Sequence, residues 1–215
     1  MRKFVLLCYG GFAMEILNSY TAMLDSGMCE LSLVGFYDDN PCFKDSYEGS
    51  LPYLGSLESY LSTCDHEINY IVASGASNQL RMKLSRKCTD AGKSPITIVD
   101  PTAKICSSAK IGSGTYIGTG AFIGPRSIIG CHNIVNVHSS IGHDSVLGDW
   151  VQVCPGARVS GNAEIGEGVF LGSNSVAGPK ISIGPWARLA ACSFAARDIP
   201  RESVAVGIPA KATHI

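Results

Sequence analysis

In this 215-residue chain His143, followed directly by Asp144, has the chemistry to move a proton near neutral pH. An imidazole titrates near neutrality and can take a proton from an incoming nucleophile. A neighbouring carboxylate can fix its tautomer and raise its basicity. His138 lies five residues upstream, and His66, His132 and His214 stand apart. Gly10-Gly11-Phe12 precedes a helical pattern. The exposed N–H groups and helix dipole at such a turn suit phosphate. The full G-x-G-x-x-G fingerprint is absent, which argues against a nicotinamide-dependent dehydrogenase. Asp38-Asp39 has the acceptors to meet ribose or base edges. Nine cysteines stand singly, with no CxxC and an odd total. That pattern reads as free thiols in a reducing cytoplasm.

The chain that must position these groups is 46% hydrophobic and 16% charged, enough to bury a core. A formal net charge of −1 without a Lys/Arg run argues against non-specific nucleic-acid binding and against a polybasic membrane patch. No apolar run approaches the roughly 18 residues of a membrane span. Met1-Arg2-Lys3 and the apolar Phe4–Cys8 faintly imitate a secretion signal. Without a small-residue cleavage site they read better as a first β-strand.

Two grammars follow one another. Residues 1–97 alternate strand and helix patterns: Phe4–Tyr9, a helix over 13–24, Leu31–Tyr37, Tyr70–Ser74, a helix over 78–91, and Ile96–Val99. Such alternation predicts βαβ units and a short parallel sheet. Ligands of these sheets sit beyond the carboxyl ends of the strands, here at Gly10-Gly11, Asp38-Asp39 and Gly75.

Residues 98–215 carry a period of six. Of the sixteen positions 99, 105, 111 and onward to 189, fifteen are Val, Ile or Leu. No helix or ordinary strand has that period. Each six residues make a short strand and a turn, three of them close an 18-residue triangular coil, and the aliphatics stack inward. The position after the aliphatic is Gly in ten cases, which predicts positive-φ turns there. His143 falls two residues after its aliphatic, at a corner. Residues 18 apart stack, so Pro125 and Gly161 flank it, and Gly161 leaves room beside the imidazole.

The repeat, with the ending Asp198-Ile199-Pro200 and Val206-Gly207-Ile208-Pro209-Ala210-Lys211, resembles the hexapeptide-repeat acyltransferases. With a small α/β domain in front, the whole chain resembles the sugar N- and O-acyltransferases of bacillosamine and sialic-acid pathways. The resemblance implies a Rossmann-like nucleotide-sugar-binding domain over 1–97 and a left-handed parallel β-helix with a C-terminal cap over 98–215. It implies a cytoplasmic homotrimer of a bacterial glycan or surface-polysaccharide pathway, using acetyl-CoA and no metal. The active sites would lie in grooves between subunits. His143 is then the general base and Asp144 its orienting acid. Gln152 stands where the family usually has a second His, and with Gly161, Ser173 and Ala191 would hold acetyl-CoA. Cys8-Tyr9-Gly10-Gly11-Phe12-Ala13 resembles the family's G-x-G-G turn, with Cys8 in place of its first Gly. Gly10, Gly11, Phe12, Asp38, Asp39 and Gly75 would hold the nucleotide-linked amino sugar. O-acetylation of a sialic-acid-like sugar and a non-catalytic β-helix scaffold remain as alternatives. The H-x4-H of His138 and His143 also matches two zinc ligands of γ-class carbonic anhydrases. The third ligand's place is Thr102, and neither His66 nor His132 fills it.

Overall fold

The computed structural model describes residues 1–27, 29–40, 42, 51–65 and 67–214; His66 lies outside them. The chain divides into two compact units, Met1–Ile98 and Val99–Ile215.

In the first unit the strands β1 (Arg2–Leu7), β2 (Leu31–Tyr37), β3 (Tyr53–Gly55) and β4 (Asn69–Val72) form a parallel sheet in the order β3-β2-β1-β4. Helix α1 (Gly11–Asp25) lies between β1 and β2, α2 (Leu57–Leu61) between β3 and β4, and α3 (Asn78–Asp90) follows β4. Val5 and Leu7 of β1 and Tyr70 and Val72 of β4 meet Tyr60, Leu84 and Cys88 from the helices in one buried cluster. Two short elements, β3 and α2, carry no sequence periodicity of their own. Tyr53–Gly55 reaches the edge beside β2, and Ser56 caps α2 by accepting from the Ser59 N–H.

The second unit is a left-handed parallel β-helix of two-residue strands in three sheets. The first face holds Lys110–Ile111, Ile128–Ile129, Val146–Leu147, Glu164–Ile165 and Ser182–Ile183. The second begins with Ile98–Val99 and runs through Tyr116–Ile117, Ile134–Val135, Gln152–Val153, Phe170–Leu171 and Arg188–Leu189 to a terminal hairpin, Ser203–Gly207 and Ala210–His214. The third holds Lys104–Ile105, Phe122–Ile123, Ser140–Ile141, Arg158–Val159, Val176–Ala177 and Phe194–Ala195. Every register step inside the coils is 18 residues, as in Ile141 against Val159. Ile117 to Leu189 thus stack as a continuous dry column. Each fully buried aliphatic contributes about 1.5–3 kcal/mol relative to exposure.

The glycines after the aliphatics do a different job from the one their positions suggest. Their φ is not positive; the left-handed residues lie three positions after the aliphatic and are mostly not Gly: Arg126, His132, His138, Asp144, Trp150 and Asn162 among them. A Cβ on Gly112 would lie 2.5 Å from the backbone of Gly130, and one on Gly172 2.5 Å from the Ala191 nitrogen. At these two positions glycine is required because consecutive coils approach too closely for a side chain, whereas the same register place holds Asn136, Cys154 and Ser160 elsewhere in the repeat.

Candidate active site

The corner between the third and first faces stacks Pro125-Arg126, His143-Asp144, Gly161-Asn162 and Pro179-Lys180. Its backbone is held from both sides: the Asp144 N–H donates to Pro125 O at 3.0 Å, and the Asn162 N–H donates to His143 O at 2.9 Å. His143 Nδ1 lies 2.7 Å from Asp144 Oδ2. Arg126, one coil earlier, donates through Nε to Oδ1 at 2.6 Å and through Nη2 to Oδ2 at 2.7 Å. These bonds, Arg126 first and His143 second, hold the Asp144 carboxyl down at about 2. An ionised carboxylate only accepts, so Nδ1 carries the hydrogen, and in the neutral ring Nε2 then bears the lone pair. Nε2 faces the next coil: a Cβ on Gly161 would lie 2.5 Å from it. The imidazole is about half exposed, so a substrate can reach it.

Arg126 was not legible as a site residue from local sequence. Its signal is positional: it stands 18 residues before Asp144, in the same left-handed turn position, φ 56° against 58°.

The remaining expected residues are spread over the coil. Gly161 shares the His143 corner, and among the described residues no acceptor takes its N–H. Gln152 is buried on the second face, the side of the triangle opposite that corner. Ser173 and Ala191 lie at the corner between the second and third faces. One chain therefore does not bring Gln152, Ser173 or Ala191 to His143. His138 sits at that other corner too. Two coils before it, Thr102 donates its N–H to Asp100 at 2.9 Å. Among the described residues no three His, Cys, Asp or Glu side chains come together as a metal-binding group.

The first unit has its own cleft, about 480 Å³, at the carboxyl ends of β1, β2 and β4. Cys8, Tyr9, Gly10, Gly11, Phe12, Asp38 and Gly75 line it. A Cβ on Gly10 or Gly11 would meet nothing within 4 Å, and Gly10 has an ordinary extended φ of −124°. Neither packing nor backbone strain demands glycine at 10 and 11; close approach of a ligand to the backbone would. Asp38 Oδ2 accepts from the Tyr9 N–H at 2.6 Å, which ties two cleft walls together. Asp39 lies outside the cleft lining and accepts from the Leu57 N–H at 2.8 Å, at the start of α2. Cys8 takes the left-handed region, φ 74°, and burial, helped by Asp38 and Asp39, pushes its thiol up to about 12. A thiol so protonated is no nucleophile. No described helix is long and apolar enough to cross a membrane.

No family model and no curated protein matches the chain. Solved structures do. The acetyltransferase domain of PglB from Neisseria gonorrhoeae, in complex with acetyl coenzyme A, is 25% identical, covers 99% of each chain and superposes with a TM-score of 0.88. Perosamine N-acetyltransferase from Caulobacter crescentus, solved as a His-to-Asn mutant with CoA and GDP-perosamine, is 27% identical over 98% of this chain and 96% of its own, TM-score 0.88. WeeI from Acinetobacter baumannii, 23% identical over 98% and 99%, TM-score 0.85, shares the fold. The chain is an acyltransferase, similar over its whole length to the hexapeptide-repeat sugar N-acetyltransferases.

Proposed function

We propose that the chain transfers an acetyl group from acetyl-CoA to the amine of a nucleotide-linked amino sugar, with His143 as general base and no acyl-enzyme. The observation that carries this reading is the His143 ring, its Nδ1 tied to Asp144 and its Nε2 open towards Gly161. As the neutral amine attacks the thioester carbonyl, the N–C bond forms and His143 Nε2 takes a proton from nitrogen. The oxyanion takes hydrogen bonds from the Gly161 N–H or the Gln152 amide. When the C–S bond breaks, the imidazolium returns the proton to sulfur, leaving an amide and CoA thiol.

The nucleotide sits in the cleft of the first unit. Gly10, Gly11 and the start of α1 face its phosphates, Gly75 lines the opposite wall, and Asp38 shapes the base end, while Asp39, outside the lining, braces the start of α2. A homotrimer supplies the rest: His143 of one protomer faces the side of its neighbour that carries Ser173 and Ala191, with Gln152 buried in the same face. The placement of these residues on opposite sides of one coil supports that arrangement. So do the exposed apolar side chains of Phe122, Ile128 and Val146 on the two faces flanking the His143 corner. The free cysteines suit a reducing cytoplasm.

The test is His143→Ala, assayed by CoA thiol release with a panel of nucleotide-linked amino sugars. We expect an intact fold and turnover reduced to background; near-normal turnover would reject the base. Hydroxyl-bearing sugars in the same panel separate N- from O-transfer.

A further inference from the structure

Asp144 does two things at once, and only one of them helps a base. Its carboxylate orients the imidazole through Nδ1–H. An unbalanced negative charge 2.7 Å from the ring would also favour the imidazolium, which has no lone pair for an incoming amine. Arg126 meets both oxygens of that carboxylate in a two-pronged grip. Such a fork fixes the plane of a carboxylate as well as its charge.

We propose that Arg126 is a positioning residue for the general base: it locks Asp144 in the orientation that receives Nδ1–H and neutralises it, so that His143 is aligned without being held protonated. This deepens the reading of His143 as the base and rests on it. The other charged groups on the surrounding elements are Lys104 and Arg158 on the third face, Lys110 and Glu164 on the first, and Lys180 two coils on. Among the described residues none of them pairs with His143 or Asp144, so Arg126 alone offsets the carboxylate. The guanidinium is 66% exposed, so solvent screens the pair, and thermal melts separate what its fork adds to folding from its effect on the base.

The experiment compares Arg126→Met, which removes charge and fork, with Arg126→Lys, which keeps charge alone. Full pH profiles of kcat and kcat/KM are taken with acetyl-CoA and an amino-sugar acceptor, beside His143→Ala and thermal melts. Arg126→Met should lower kcat by roughly 10- to 100-fold, the usual effect of removing a histidine's outer partner. KM for acetyl-CoA and the melting temperature should hold, while the acid limb of the profile moves to higher pH. Arg126→Lys should return the limb towards its original place with kcat only partly restored. A wild-type kcat and an unmoved limb in Arg126→Met, beside a dead His143→Ala, would overturn the proposal. A lowered melting temperature with an unmoved limb would do the same, by showing a structural role. Activity surviving in His143→Ala removes the base itself, and the proposal falls with it.

Discussion

At the residue scale the proposed site pairs an imidazole with a carboxylate and gives each a separate duty. Asp144 is held ionised down to about pH 2 by Arg126 and His143. It therefore does not titrate in any working range. The sign for folding follows. Its pKa is lower in the folded chain than in the unfolded one, so the carboxylate favours the fold above about pH 4 and loses that effect as pH falls towards 2. On an exposed corner that effect is small. Asp144→Asn should thus leave the melting curve near neutral pH almost unchanged. It should lower kcat about 10- to 100-fold with KM for acetyl-CoA retained, because an amide neither fixes the tautomer nor stabilises the imidazolium formed in the transfer. Steady-state kinetics at several pH values check this; a kcat equal to wild type would remove Asp144 from the machinery.

At the element scale the coil's spacing decides which glycines serve the fold and which serve the site. Gly112 faces backbone of the next coil at 2.5 Å, whereas Gly161 faces the tip of the His143 ring at 2.5 Å. A methyl group at the first position must push coils apart; at the second it need only displace a side chain. Gly112→Ala should therefore destabilise by about 1–3 kcal/mol and leave turnover per folded molecule intact. Gly161→Ala should melt near the wild-type temperature and lose most of its activity. Calorimetry and active-site-normalised rates separate the two; equal melting losses would refute the distinction. The period of six made the β-helix and the His143 corner legible, because Ile141, Val159 and their fellows repeat without interruption. The reason for the glycines was not legible. Close approach between coils and positive φ both select Gly, and only coordinates tell them apart. Arg126 was hidden for a related reason, since its partner is next to it in space but 18 residues away in sequence. Tyr53–Gly55 and Leu57–Leu61 were missed because elements of three and five residues are too short to show a period. Their places are set by pairing with β2 and by the bond from Leu57 N–H to Asp39.

At the scale of the whole molecule, three-sided coils impose a constraint that no local adjustment removes. His143 occupies one corner, and Gln152 is buried on the opposite face. If both act on one thioester, they come from two chains. The consequence is testable without any ligand-bound structure. Take His143→Ala as one chain and Gln152→Arg, which places a bulky charge at the acetyl position, as the other. Each homo-oligomer should be inactive. Mix them under conditions that exchange subunits in equal amounts. In a cyclic trimer each site draws its imidazole from one chain and its amide from the next. Half the imidazole donors are intact and half the amide donors are intact, so about a quarter of the sites recover both. We expect about a quarter of wild-type specific activity, rising and falling with the mixing ratio and absent from unexchanged mixtures. A mixture as inactive as its parents, with exchange verified by mass, would refute a site shared between chains, and a Gln152→Arg homo-oligomer with wild-type activity would remove Gln152 from the reaction.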